Sequence, residues 1–127
     1  DENLYTGSAK ILIVEDEKAV RDMAKHLLER LGYSVITACD GIEGVEIYKI
    51  KHNEIDLVIL DMIMPKMNGK DAFLEMQKIN PNIKSLVSTG YSENEEVQEM
   101  LNLGVNASLS KPYRINTLSE NIKQLFS

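Results

Sequence analysis

The chain has 127 residues, 43% of them hydrophobic and 27% charged, which fits one globular domain that buries its own core. Its net charge of −6 repels phosphate backbones, so we expect no direct binding of nucleic acid. The single cysteine, Cys39, excludes an internal disulfide and fits a reducing, cytoplasmic location, and no apolar run approaches the roughly 18 residues of a membrane span, so we expect no membrane contact in this segment.

The first eight residues, DENLYTGS, differ from the rest because they show no apolar periodicity. The letters ENLY followed by GS resemble the remnant of a protease-cleavable purification tag. We therefore assign residues 1–8 to such a remnant and predict that residues 9–127 form the folded domain.

Five short apolar runs predict five strands. They cover residues 10–14, 35–38, 56–60, 83–88 and 107–109. Because the runs lack strict alternation of apolar and polar residues, they suit strands that are covered on both faces, as in a parallel sheet.

Apolar residues at three- and four-residue spacing predict a helix after every strand. These positions are Val20, Met23, Ala24, Leu27, Leu28 and Leu31 in the first helix, Val45 and Tyr48 in the second, Ala72, Phe73, Met76 and Ile79 in the third, Val97, Met100 and Leu101 in the fourth, and Ile115, Leu118, Ile122, Leu125 and Phe126 in the fifth. Gly32 and Gly104 are predicted to end the first and fourth helices. The order is (βα)5, and right-handed crossovers then place helices on both faces of a doubly wound α/β sheet.

Polar residues follow four of these strands: Glu15 and Asp16 follow the first, Asp61 the third, Thr89 the fourth and Lys111 the fifth. Ligands of such sheets bind at the carboxyl ends of the strands, so we expect these side chains to meet there. Converging carboxylates repel each other and suit a hard divalent cation, and a site with few carboxylates suits Mg²⁺. A carboxylate can also be a nucleophile, while a metal ion, an ammonium group and a hydroxyl hold the oxygens of a transferred phosphoryl group.

Four motifs resemble those of the receiver domain of two-component response regulators, in the same order and at the same strand ends. They are Val14-Glu15-Asp16, Asp61-Met-Ile-Met-Pro-Lys-Met-Asn-Gly69, Ser88-Thr89-Gly90 and Lys111-Pro112-Tyr113. The resemblance covers residues 9–127 and implies the flavodoxin-like fold with strand order 2-1-3-4-5.

The resemblance also implies a metal site. Asp61 corresponds to the phosphoacceptor, Asp16 to a direct ligand of Mg²⁺, and Glu15 to a partner of Asp16 that acts through water. The Asp61 carboxylate and the backbone carbonyl of Ile63 would complete the protein ligands of the ion.

Thr89 and Lys111 correspond to the hydroxyl and the ammonium group that contact the phosphate in this family, and Pro112 follows where the family has a cis peptide. One position departs from the pattern. Ser108 stands where the family usually carries Tyr or Phe, which turns inward on phosphorylation. The departure puts aromatic coupling in doubt and leaves the phosphorylation chemistry untouched.

We therefore expect a signalling domain rather than an enzyme, which takes a phosphoryl group from a phosphohistidine onto Asp61 and signals by a change of conformation. Its implied partner is a histidine kinase or a histidine phosphotransfer domain, in a single-domain regulator, a phosphorelay or a hybrid kinase, and a weak homodimer is left open. The alternatives are a pseudo-receiver that binds partners without phosphate, and an aspartyl-nucleophile phosphatase, which would need a second acid where this chain has Ile63.

Three further expectations concern single residues. Ala19 and Val20, near the start of the first helix, are candidates for the docking surface of the phosphodonor, and the alternative for Val20 is the core. Ile63 and Tyr91 are predicted to shield the phosphoryl bond from water. Cys39 is expected to be an inert, partly buried thiol.

Overall fold

The computed structural model describes residues 8–64, 66–90 and 95–126, in which five strands alternate with five helices. The elements are β1 (Lys10–Val14), α1 (Lys18–Arg30), β2 (Ser34–Ala38), α2 (Gly41–Lys51), β3 (Leu57–Asp61), α3 (Gly69–Ile79), β4 (Ser85–Thr89), α4 (Glu95–Leu103), β5 (Ala107–Ser110) and α5 (Ile115–Phe126). All strand pairs are parallel, and the order in the sheet is β2-β1-β3-β4-β5. The predicted (βα)5 fold and its strand order are confirmed.

The three central strands are buried along almost their whole length. Every residue of β3 and β4 is buried, as are four of the five residues of β1. The edge strands β2 and β5 are mostly half-buried or exposed. The central apolar runs therefore belong to strands covered on both faces, and the proposed site residues follow these strands or the adjacent β5.

Alternate residues of a strand point to opposite faces of the sheet. On β1, Leu12 and Val14 pack with residues of α2, α3 and α4, whereas Ile11 and Ile13 pack with residues of α1 and α5. We call these two sides the α2–α4 face and the α1/α5 face. The same alternation continues to the strand ends, where it decides which side chains meet.

Local signals set several helix ends. The side chains of Asp40 and Asn68 accept hydrogen bonds from backbone N–H groups of the first turns of α2 and α3, at 2.8 and 2.9 Å, and so cap these helices. Gly32 and Gly104 follow α1 and α4 with φ angles of 98° and 125°, a left-handed conformation that favours glycine. The helix ends predicted at these two glycines are confirmed.

The exposure of individual residues departs from the sequence prediction at one position. Cys39 is exposed instead of partly buried, because it lies in the turn between the edge strand β2 and α2, outside both apolar cores. Val20 is half-buried and packs against the core of the α1/α5 face, whereas Ala19 is exposed. Among the described residues, no helix combines the length and apolar character that crossing a bilayer requires.

Gly69, the first residue of α3, packs directly on the backbone of Asp61 and Met62. Its N–H donates to the Met62 carbonyl at 3.0 Å, and a Cβ at this position would collide with the carbonyl oxygen of Asp61. We predict that Gly69→Ala lowers the free energy of unfolding by about 2 kcal/mol, because the backbone of α3 or β3 must shift to admit the methyl group. Urea denaturation measures this loss.

Gly90→Ala is the matched control, since a Cβ at Gly90 meets no atom within 4 Å. It should change the free energy of unfolding by less than about 0.5 kcal/mol. Equal losses in the two variants would contradict the packing argument for Gly69.

Candidate functional site

The carboxyl ends of β1, β3, β4 and β5 surround an open cleft of about 440 Å³. The residues that line it are Asp16, Glu17, Asp61, Met62, Ile63, Thr89, Gly90 and Lys111. Five of the six residues predicted from the sequence are therefore in its wall. The sixth, Glu15, is fully buried next to it, where it contacts Lys111.

Lys111 joins two buried carboxylates. Its Nζ lies 2.9 Å from Glu15 Oε1 and 3.0 Å from Asp61 Oδ1. By alternation, all three side chains continue the α1/α5 face, since they stand two positions after Ile13, Ile59 and Leu109 of that core. The lysine therefore reaches across β4 to the ends of β3 and β1, and its own backbone N–H donates to the Thr89 carbonyl at 3.0 Å.

Three carboxylates form an acidic cluster beside this lysine. Oxygen atoms of Glu15, Asp16 and Asp61 lie within 4.8 Å of one another, with Asp16 exposed and the other two buried. Carboxylate oxygens are the donors that hard divalent cations prefer, and one exposed acid leaves room for water on the ion. The donor set fits a small divalent cation such as Mg²⁺.

The cleft perturbs the protonation of Asp61 and Lys111 in the same direction. Burial raises the pKa of Asp61 to about 6, the hydrogen bond from Lys111 opposes the rise, and the negative charge of Glu15 adds to it. Burial by itself would lower the pKa of Lys111, but its hydrogen bonds to Glu15 and Asp61 outweigh burial and raise the pKa. At neutral pH the cleft therefore holds an ionised Asp61 beside a lysine cation.

Thr89 and Ile63 occupy the wall and the mouth of the cleft. Thr89, the last residue of β4, is buried, and its neighbour Ser88 pairs with Asp61 in the sheet. The Ile63 side chain is 66% exposed between the buried residues Met62 and Met64, which leaves an apolar group at the cleft entrance. Tyr91, expected to shield the same bond, lies outside the described residues, so the shielding by this pair stays a prediction.

Arg21 is a structural contact of the site that the sequence analysis missed. Its Nη1 donates to the backbone carbonyl of Glu15 at 2.9 Å, and the Glu17 N–H donates to the Glu15 carboxylate at 3.1 Å. These bonds hold the turn between β1 and α1. The sequence contained one sign of this contact: Arg21 is a basic residue in the first turns of a helix, where the helix dipole favours acidic residues. The cis peptide expected between Lys111 and Pro112 is present.

Comparison with known proteins identifies the relatives of this chain. Residues 11–123 match the family model described as the response regulator receiver domain. The chain is 34% identical, over 94% of its length, to the sensor kinase CckA of Brucella abortus, of which it spans only 13%. It is 31% identical, over 91% of its length, to the sporulation initiation phosphotransferase F of Bacillus subtilis, of which it spans 91%.

Solved structures agree with the family match. A chain in the crystal structure of the CheX–CheY–BeF3–Mg²⁺ complex from Borrelia burgdorferi superposes with a TM-score of 0.89 and 26% identity. The match covers 94% of this chain and 90% of that one. Sheet order, motif positions and family model therefore lead to one conclusion: the chain belongs to the response regulator receiver domain family of two-component signalling.

Proposed function

We propose that this domain accepts a phosphoryl group on Asp61 from the phosphohistidine of a histidine kinase or a histidine phosphotransfer domain, with Mg²⁺ as the cofactor. The observation that carries the proposal is the Lys111 ammonium, which lies 3.0 Å from Asp61 and 2.9 Å from Glu15 at the wall of an open cleft. A fixed cation beside a reactive carboxylate is what phosphoryl transfer requires. The phosphorylated domain then changes conformation and alters its binding to a partner.

The transfer starts with an oxygen of the Asp61 carboxylate in line with the phosphorus–nitrogen bond of the donor. This oxygen forms a bond to phosphorus while the bond to the imidazole nitrogen breaks, and the nitrogen keeps the electron pair and takes up a proton. The product is an acyl phosphate on Asp61. The Lys111 ammonium and the Thr89 hydroxyl donate hydrogen bonds to the phosphoryl oxygens and stabilise the charge on them.

The acidic cluster supports Mg²⁺ because its donor atoms are carboxylate oxygens. We assign direct binding to Asp16, Asp61 and the backbone carbonyl of Ile63, and binding through water to Glu15. When bound, the ion offsets the repulsion among the carboxylates and polarises the phosphoryl oxygens. Glu15 is held in orientation by Lys111 and by the Glu17 N–H.

The relatives support a relay or a hybrid kinase as the setting. Both a small phosphotransferase and a large sensor kinase contain a segment similar to this chain, and this domain spans 91% of the first and 13% of the second. We propose that residues 9–127 act as the receiver unit in the cytoplasm and that residues 1–8 are the remnant of a purification tag. The conformational signal does not pass through an aromatic side chain at position 108, because that residue is Ser108.

Two alternatives have less support. An aspartyl-nucleophile phosphatase would need a second acid two residues after the nucleophile, where Ile63 offers an aliphatic side chain. A pseudo-receiver would lack part of the reactive set, whereas Asp61, Thr89 and Lys111 all line the cleft here.

We predict that Asp61→Asn abolishes phosphoryl uptake and leaves the fold intact, because asparagine keeps the shape of the side chain but is not a carboxylate nucleophile. Parent and variant are incubated with acetyl phosphate and Mg²⁺ and weighed intact by mass spectrometry. An adduct of equal yield on the variant would refute the assignment of Asp61. Failure of the parent to bind beryllium fluoride with Mg²⁺ would favour the pseudo-receiver.

Without divalent metal, we predict that Asp61→Asn stabilises the protein at pH 7.5. The pKa of Asp61 rises from 3.8 to about 6 on folding, so the folded state binds the proton more tightly than the unfolded state. Ionisation of Asp61 therefore lowers the free energy of unfolding. This loss is absent below the pKa of Asp61 in the unfolded state, grows as the pH rises between the two pKa values, and is complete above the pKa in the folded state. Removal of the carboxylate should therefore raise the free energy of unfolding by roughly 2 kcal/mol at pH 7.5, and this gain should shrink towards pH 4.5.

Urea denaturation in a chelator at several pH values measures the difference between parent and variant. Asp22→Asn is a control that should lower the free energy of unfolding instead of raising it, because the hydrogen bond from Lys18 lowers the pKa of the exposed Asp22. A gain for Asp61→Asn that does not vary with pH would contradict the titration of Asp61.

We predict that Ala19→Glu slows phosphoryl transfer from the cognate kinase by about tenfold and leaves labelling by acetyl phosphate within about twofold of the parent. Ala19 and Met23 are exposed one turn apart on α1, close to the acidic turn that follows β1, and form a small apolar surface for a donor helix. Rates of phosphotransfer from the kinase and from acetyl phosphate are compared for each variant.

Ile50→Glu is the matched control, because Ile50 is 78% exposed near the end of α2 that lies away from the cleft. It should leave both rates unchanged. Equal slowing of both donors by Ala19→Glu would mean that the substitution damages the cleft and not a docking surface.

A further inference from the structure

Arg21 binds the backbone of the acidic turn that follows β1. Its Nη1 donates to the carbonyl of Glu15 at 2.9 Å and to the carbonyl of Asp16 at 3.4 Å. A guanidinium Nη atom carries two N–H groups, so one nitrogen can serve both carbonyls. Glu15 has no exposed surface, and a buried carbonyl without a partner destabilises the fold. The first of these bonds therefore satisfies a group that water does not reach.

The start of α1 is held differently from the starts of α2 and α3. The side chains of Asp40 and Asn68 cap those two helices, whereas the N-cap residue of α1, Glu17, makes no side-chain capping bond. The Glu17 N–H donates instead to the Glu15 carboxylate at 3.1 Å, and the Glu17 carbonyl accepts from the Arg21 N–H at 2.9 Å. Arg21 is thus part of α1 and reaches back to the turn from within the helix.

This turn carries two of the three carboxylates of the acidic cluster, and their side chains are restrained differently. The Glu15 carboxylate lies 2.9 Å from Lys111 Nζ and also accepts the Glu17 N–H. Asp16 is exposed in the wall of the open cleft. The direction of the Asp16 side chain therefore depends strongly on its backbone, and the contact of Arg21 with the Asp16 carbonyl restrains that backbone directly.

We propose that Arg21 is a positioning residue for the cation site: by holding the carbonyls of Glu15 and Asp16, it fixes the direction in which the Asp16 carboxylate enters the cleft. This inference rests on the proposed function and adds to it a residue that acts through Asp16. Groups that orient the ligands of a metal ion typically change its affinity by tenfold or more.

The charge of Arg21 and its hydrogen bonds have opposite effects on a bound cation. A guanidinium group beside the acidic cluster repels Mg²⁺, so a purely electrostatic role predicts tighter binding once the charge is removed. A positioning role predicts weaker binding, because an unrestrained carboxylate loses conformational freedom when it binds the ion. A purely structural role predicts lower stability with unchanged affinity. The direction of the change in Kd therefore separates the three roles.

The test compares the Kd for Mg²⁺ of the parent, Arg21→Ala and Arg21→Lys, from the shifts of amide resonances as Mg²⁺ is added. Urea denaturation first establishes conditions under which every variant is folded. We expect Arg21→Ala to raise the Kd by about tenfold. Arg21→Lys keeps the charge and a donor on a long side chain, so it should raise the Kd less than Arg21→Ala does. A Kd of Arg21→Ala equal to or below that of the parent would overturn the inference.

Arg30→Ala is the matched control, because Arg30 is exposed at the opposite end of α1. It removes the same charge and should leave the Kd within about twofold of the parent, as expected for a surface position far from the cleft. A tenfold rise in this variant as well would show that the charge of α1, and not the contact of Arg21 with the turn, sets the affinity.

The dependence of labelling by acetyl phosphate on Mg²⁺ concentration is the second readout. Arg21→Ala should label about tenfold more slowly than the parent at low Mg²⁺, but within about twofold of it at saturating Mg²⁺, since Asp61, Thr89 and Lys111 are unchanged. A rate that stays low at saturation would contradict a role through the cation site. A parent that binds Mg²⁺ but takes no label would refute the proposed phosphoryl transfer alone, and the comparison of Kd values still decides the role of Arg21. A parent that binds no Mg²⁺ would overturn both.

Discussion

The structure depends on one electrostatic constraint, the compensation of two buried carboxylates by a single lysine. Glu15 is fully buried and Asp61 nearly so, and a buried carboxylate without a counter-charge is destabilising by several kcal/mol. Lys111 contacts both at 2.9 and 3.0 Å, and within the described part of the chain no other ion pair involves either acid. Because Lys111 follows β5, this compensation exists only when β5 pairs with β4 and β4 with β3.

Compensation by one lysine is incomplete. Three carboxylates and one ammonium group leave a formal excess of two negative charges at the same strand ends. Burial, together with this excess, is why the pKa of Asp61 rises to about 6, and the unpaired negative charge suits a divalent cation. Natural sequences accept such local conflict mainly at functional sites, while the two apolar cores supply the stability of the domain.

The fold by itself does not define the function, since doubly wound sheets of this kind serve many chemistries. Here the groups assigned to the proposed reaction stand at the carboxyl ends of β1, β3 and β5, and β4, which lies between β3 and β5, contributes Thr89 to the cleft and Ser88 to the interior. Side chains alternate between the two faces along β4, so the adjacent residues Thr89 and Ser88 point in opposite directions. One therefore lines the cleft and the other lies in the interior. The departure at Ser108 removes an aromatic group from the α2–α4 face, while the Tyr113 ring packs in the core of the α1/α5 face.

The sequence alone determined the strands, the helix ends at Gly32 and Gly104, and the set of polar residues at the strand ends, because these depend on short-range patterns and on the rule that parallel strands share one carboxyl edge. It did not determine that Cys39 is exposed, that Arg21 holds the turn after β1, or that Tyr113 packs in the core of the α1/α5 face. Each of these depends on which side chains the packed helices bring together. Such contacts join positions that are distant in the chain or on different elements, and only the assembled tertiary structure selects them.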